Sequence, residues 1–221
     1  MRSKTRILEM FLLVGMLVIV TSFLSGCVII TDEEMEELNN KSKSGSGDIA
    51  AYVEEIWDSD IVTACSAKAV DCSEVITNLS SDRAEYCETN GILKSVGLKD
   101  YYFIVKGTCK IIGTYNDGKK KNNIDCDLAP YDGEADFQIQ LGPNITGSAI
   151  RDTLSPVSAD HFLNQIEYAD YSKELNNKEY ATVLSEIDFS STEDKEYNFE
   201  GVILSKTDSI LLTAIALEEA A

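Results

Sequence analysis

The chain has 221 residues, with 19 Lys and Arg against 38 Asp and Glu and a formal charge of −19. A surface this acidic repels polyanions and argues against nucleic acid as a partner. At 44% hydrophobic, with 10 Tyr, 7 Phe and 1 Trp, the chain can bury a real core, and a single His with widely spaced Cys argues against a zinc enzyme.

Arg2, Lys4 and Arg6 form a basic start, Phe11–Val20 an apolar stretch, and Thr21–Cys27 supplies small residues. Residues 1–26 therefore read as a secretory signal. Leu24-Ser25-Gly26-Cys27 resembles the bacterial lipoprotein box, which makes Cys27 the expected lipidation site and membrane lipid an expected partner. The alternative is an uncleaved anchor, because Phe11–Ile30 is long enough to span a bilayer. Both place the remainder of the chain outside the cytoplasm, on the periplasmic side or the outer cell surface. Residues 27–47 would be the lipidated cysteine and a polar, Gly/Ser-rich tether reaching about 25 Å as a coil. Residues 48–221 would form one α+β domain.

Asp48 predicts a helix start, with Ile49, Val53, Ile56 and Trp57 at helical spacing. A second helix is expected over Asp60–Ala69. A third should open at the capping box Asp71-Cys72-Ser73-Glu74 and stop at Asn90-Gly91. From Tyr101 to Ile112 β-formers dominate, and Asn116-Asp117-Gly118 signals a hairpin. With Asp117-Gly118 as the loop, Ile111 faces Ile124, Lys110 faces Asp125, and Cys109 faces Cys126 at a close-approach pair. Cys109 and Cys126 are thus the disulfide candidates, with the pairing of Cys65, Cys72 and Cys87 left open. Asp136–Leu141 alternates, with Phe137, Ile139 and Leu141 inward and Gln138 and Gln140 outward. A short strand is expected over Asn144–Ile150, a helix from Ser158 with a break at Asn176-Asn177, and a hairpin of Tyr197–Ser205 with Ile210–Leu217 turning at Thr207-Asp208. N-terminal helices, a small antiparallel sheet or partly closed OB-like barrel, and helices inserted before the last hairpin make the expected fold α+β.

Few residues suggest chemistry. His161 is the sole histidine, and no nucleophile elbow of the G-x-S-x-G kind occurs. The carboxylates Asp125, Asp127, Asp132, Glu134 and Asp136 invite calcium, but from Asp125 the spacing of a calcium loop fails at Ala129 and Pro130. Solvated acidic surface and turn chemistry explain them better, so no metal and no cofactor is expected. Arg151 and Asp152 could orient a sugar hydroxyl or a partner carboxylate. Asn164 and Gln165 could read a polar ligand, or belong to a satisfied network at the helix–sheet boundary.

Four blocks carry a family resemblance: Tyr52–Ser59 (YVEEIWDS), Phe103–Thr108 (FIVKGT), Gln140–Pro143 (QLGP) with Gly147, Arg151 and Asp152, and Asn164–Ala169 (NQIEYA). With the lipoprotein signal, they resemble the predicted periplasmic lipoprotein family called domain of unknown function 2291. The resemblance implies a lipoprotein associated with sugar importers of the ATP-binding-cassette type, and it supplies no catalytic residue. The expected function is a membrane-anchored, non-enzymatic accessory or binding component. Two rivals stand beside it: an envelope carbohydrate hydrolase or lyase using paired carboxylates, and a sugar-binding module in its own right.

Overall fold

The structure, a computed structural model, describes residues 49–94, 100–112, 122–192, 195–206 and 209–220. The signal segment, Cys27, the tether, Asp48 and the turns expected at Asp117-Gly118 and Thr207-Asp208 lie outside these residues.

The first helical run, α1, covers residues 49–68. Its buried residues Ile49, Val53, Trp57, Ile61 and Cys65 recur at every fourth position. An α-helix has 3.6 residues per turn, so each four-residue step overshoots one face by about 40°. The π-wound segment Trp57–Val62 adds the extra residue that cancels this drift and keeps the stripe on the core. The two separate helices expected here are therefore one.

A short strand, β1 (Val70–Asp71), leads into α2 (Cys72–Asn90). The Asp71 carboxylate accepts from the Glu74 N–H at 3.0 Å, the cap predicted from sequence, and Gly91 follows the helix end. α2 kinks at Asp82, where φ and ψ leave the helical region. Then come β2 (Ile92–Leu93), β3 (Tyr101–Ile111), β4 (Asn123–Leu128) and β5 (Phe137–Gln140). Next are α3 (Ala149–Thr153), a 3-10 turn at Ala159–His161, and α4 (Gln165–Glu179), which runs on through a π turn at Tyr180–Leu184. The hairpin β6 (Glu196–Ser205) and β7 (Ile210–Glu219) closes the described chain.

Five strands form a closed barrel in the order β3-β4-β5-β7-β6, with β6 pairing back onto β3. The pairs are antiparallel except β5 with β7. Alternation along β3 sends Phe103, Val105, Cys109 and Ile111 to the interior, where they meet Ile124, Cys126, Phe137, Ile139, Phe199, Ile203 and Leu212. α2 adds Cys72, Val75 and Leu79 to this core. The opposite faces of β3, β6 and β7 carry Tyr102, Ile104, Val202 and Ile215, covered by α1, by Ile150 of α3 and by Tyr171 and Leu175 of α4. Each such aliphatic side chain contributes about 1.5–3 kcal/mol on burial, so the two-sided packing anchors this wall of the barrel.

One seam is irregular. Glu200 opposes Ala216 while Gly201 opposes Ala214, which leaves Ile215 without a ladder partner. The Ala214 N–H instead donates to Oε1 of Glu179 at 3.0 Å, reaching in from α4. Glu179 is fully buried, and burial pushes its carboxyl well above the usual carboxylate range.

Several sequence expectations are corrected. Cys109 faces Leu128, Lys110 faces Asp127 and Cys126 faces Ile111, a register two residues away from the one the turn signal suggested. A shift of two preserves which side chains point inward, so the hydrophobic pattern permits it, and barrel closure selects it over the local turn. Asn144–Ile150 forms no strand. Its carbonyls are taken by α4 instead: Ser172 Oγ donates to Gly147 O at 3.0 Å, and Asn176 Nδ2 donates to Ile145 O at 3.2 Å and Gly147 O at 3.1 Å. The same bonds bury Asn176 and carry α4 straight through the expected break at Asn176-Asn177. Nor does a helix start at Ser158, because the cap is Asn164, whose Oδ1 accepts from Ile166 N at 2.8 Å and Glu167 N at 3.0 Å.

A candidate ligand cleft on the barrel

The second and third barrel strands, β4 and β5, present a polar outer face. Gln138 Nε2 donates to Asp125 Oδ1 at 2.6 Å, and Asn123 Nδ2 donates to Gln138 Oε1 at 3.2 Å. These are cross-strand neighbours: Asp125 pairs with Gln138, and Asn123 lies two residues along the same face. α2 forms the facing wall. Past its kink at Asp82, Arg83 reaches the end of β6, where Nη1 hydrogen-bonds Ser205 Oγ and Nη2 donates to Ser205 O at 3.0 Å. The result is an open cleft of about 570 Å³ lined by Leu79, Ser80 and Arg83, by Asp125 and Ala135–Gln138, and by Lys206, Ser209 and Ile210 beside the β6–β7 turn.

Among its described lining residues the cleft balances charge within an acidic chain. Arg83 and Lys206 stand against Asp125 and Asp136. Asp136 Oδ2 accepts from Leu128 N at 2.7 Å, which orients that carboxylate as an acceptor. Hydroxyls (Ser80, Ser209), an amide (Gln138), two carboxylates and two cations thus share one concave surface with Phe137 and Leu79 beneath. The arrangement offers many directed donors and acceptors and no strongly charged focus.

Of the residues singled out from sequence, Asp125 and Asp136 line the cleft, while Arg151, Asp152, Asn164, Gln165 and His161 lie elsewhere. Arg151 Nε donates to Asp152 Oδ1 at 2.8 Å, its guanidinium lies 3.9 Å from the centre of the Tyr168 ring, and Nη1 donates to Tyr168 O at 3.3 Å. Ser148 Oγ holds the other Asp152 oxygen at 2.6 Å. The pair therefore clamps α3 to α4. Asn164 caps α4, and Gln165 is exposed beside it. Glu167 completes the cap by accepting from Leu163 N at 2.9 Å. His161 stacks on Tyr52 with ring centres 5.8 Å apart. Two other carboxylates weighed for calcium serve turns: Asp127 Oδ2 accepts from Gly133 N at 2.8 Å, and Asp132 Oδ1 accepts from Glu134 N at 2.9 Å. Among the described residues no group of three or more His, Cys, Asp and Glu is placed to hold a metal ion.

Cys109 and Cys126 are free, buried thiols of the same core. The neighbouring Cys109 thiol, then burial, raises the Cys126 thiol pKa far above its ordinary value, while burial raises Cys72 likewise and pushes Cys65 up to about 12. Only thiolates react readily. The native protein should therefore leave Cys65, Cys72, Cys109 and Cys126 unalkylated at pH 8, whereas denaturant should expose all four to immediate labelling. Mass mapping of the labelled peptides checks this, and rapid native labelling of Cys126 would contradict the closed core.

The sequence contained the cleft only in pieces. Gln138 was legible as an outward polar residue on an alternating strand. Arg83 and Lys206 carried no local signal, because the kink in α2 and the closure of β6 on β3 bring them to Gln138.

A three-strand meander, a helical crossover and a returning hairpin that pairs β5 with β7 in parallel define an OB-fold barrel elaborated into an α+β domain. In such barrels the face of the second and third strands and the adjoining loops is the general ligand position. An OB-fold protein from Thermotoga maritima, known from its crystal structure, is similar in fold, with a TM-score of 0.62 and 18% identity over 78% of this chain and 98% of that one. Comparison with curated proteins gives no match. The chain belongs to the predicted periplasmic lipoprotein family, domain of unknown function 2291, whose model matches residues 17–218. It is thus an extracytoplasmic protein of the lipoprotein class.

Proposed function

We propose that this protein is a membrane-anchored, non-enzymatic accessory component that works beside a sugar importer of the ATP-binding-cassette type. The observation that carries the reading is the balanced polar cleft over β4 and β5, the face on which OB barrels hold ligands. The resemblance to a family associated with sugar importers supports the importer as partner. Cys27 at the end of the small-residue stretch supports the lipid anchor, with the residues up to 48 as tether.

Asp125 and Asp136 sharing one cleft is the specific observation that favours the rival reading, a carbohydrate hydrolase or lyase. Against it, Asp125 is bound by Gln138, Asp136 by a backbone N–H, and Asp136 is exposed, whereas a proton donor to a glycosidic oxygen is usually kept in a dry, apolar setting.

Three measurements test the proposal. Membrane solubilisation and affinity purification of the full chain should bring down importer subunits, and deletion of the gene should slow uptake of a sugar at low concentration. Cys27→Ser should abolish lipid labelling and release the protein from membranes. Normal uptake of every sugar tried, with no importer subunit recovered, would remove the accessory role. Glycoside turnover by purified protein that vanishes in both Asp125→Asn and Asp136→Asn would establish the enzyme instead.

A further inference from the structure

We infer that the cleft between α2 and the β4–β5 face binds a neutral polyhydroxylated ligand, a free monosaccharide or short oligosaccharide, through direct hydrogen bonds to Asp125, Gln138 and Arg83. The inference rests on the accessory reading but commits to a ligand and to the residues that read it.

Charge is the first argument. The whole chain is strongly acidic, yet among the described residues this cleft sets two cations, Arg83 and Lys206, beside two carboxylates, Asp125 and Asp136. An anionic ligand would gain from the cations and meet the carboxylates at once; a cationic one faces the converse. A neutral ligand with many hydroxyls meets no such penalty, and each hydroxyl both donates and accepts.

Preorganisation is the second. Asp125 and Gln138 are fixed to each other across β4 and β5 at 2.6 Å, and Asn123 fixes the far oxygen of Gln138 at 3.2 Å. A planar carboxylate and a planar amide are thereby held side by side on rigid strands, a spacing suited to adjacent ring hydroxyls. Opposite them the Arg83 guanidinium is held by both polar atoms of Ser205. Rigid polar groups lose little freedom on binding, which favours ligands whose own affinity per contact is modest.

Size is the third. A cleft of about 570 Å³ lies within the range of small-ligand sites. It is open to solvent, which leaves room for a ligand of more than one sugar.

The test uses the full chain in detergent micelles, titrated with glucose, galactose, mannose, ribose, xylose and arabinose, and separately with glucuronate, acetate and glycine. Binding is read by calorimetry and by the side-chain amide resonance of Gln138. At least one neutral sugar should bind and shift that resonance, and Gln138→Ala should weaken binding about tenfold or more while leaving the thermal midpoint in place. Lys206→Ala should weaken it less, and Lys178→Ala, outside the cleft and paired with Glu54, should leave it unchanged. Binding of glucuronate or glycine but no neutral sugar would overturn the inference, as would neutral-sugar binding indifferent to Gln138→Ala. Absence of binding by all six sugars would overturn it too, while recovery of importer subunits in the co-purification would still stand for the accessory role.

Discussion

Glu179→Gln is expected to make the protein more stable than the natural chain at neutral and alkaline pH while changing little at pH 4. Glu179 is fully buried, its Oε1 accepts from the Ala214 N–H, and Oε2 has no hydrogen-bond partner. Burial holds its carboxyl well above the usual range, so the native state keeps a proton that the unfolded chain releases near pH ~4.3. Below the unfolded value both states are protonated, and the contribution of this contact to stability is complete. As pH rises from there toward the folded value, the native state binds the extra proton, and stability falls by up to about 1.4 kcal/mol per pH unit. Glutamine keeps an acceptor for the Ala214 N–H and removes the titration. Chemical denaturation from pH 4 to pH 9 should therefore show the two curves diverging as pH rises above the unfolded value, with Gln the more stable at high pH. Glu179→Ala should instead cost about 2–4 kcal/mol at pH 4, through a cavity and an orphaned N–H, and less as pH rises, because alanine also removes the titration. Parallel curves for the natural chain and Glu179→Gln would show that some other group governs the slope.

Gly201→Ala should be severely destabilising, although alanine is usually a mild replacement. A Cβ at Gly201 would stand 2.4 Å from Thr213 O and 3.1 Å from Ala214 Cα. Both are backbone atoms of β7 at the irregular seam, so neither can rotate aside. Relief requires β6 and β7 to part where they close the barrel, and the expected loss is about 3 kcal/mol or more. Gly133→Ala is the control. Gly133 has φ of 86°, but nothing lies within 4 Å of its added Cβ, so the loss should stay near ~1 kcal/mol. Equal losses at the two positions would mean that the seam yields and that conformational freedom alone decides.

Where local chemistry sets the structure, the sequence was enough. The Asp71 cap, the stop at Gly91, the alternation of Phe137, Ile139 and Leu141 and the last hairpin all depend on neighbours in the chain, and all are found. The failures share a cause. The β3–β4 register is fixed by closing a barrel, not by the turn between the strands. The segment 144–148 stays irregular because Ser172 and Asn176, on a helix still to come, bind the carbonyls of Ile145 and Gly147. Arg151, Asp152 and Asn164 allowed both a ligand and a structural reading, because clamps and caps use the same polar side chains as binding sites, and their hydrogen bonds are those of a clamp and a cap. The cleft itself combines α2, the β4–β5 face and the β6–β7 turn, which no periodicity relates to one another.

The pairing of β3 with β6 also sets the order of events in export. Thr108 and Asn198 hydrogen-bond across this seam although 90 residues separate them in the chain. A polypeptide threaded through the membrane N-terminus first delivers β3, β4 and β5 early, with one edge of β3 and one of β5 unpaired. The missing partners, β6 and β7, emerge after them. Contacts so distant in sequence form slowly, and open strand edges recruit other chains. A stalled chain that lacks the β6–β7 hairpin therefore exposes two strand edges to aggregation and to envelope proteases.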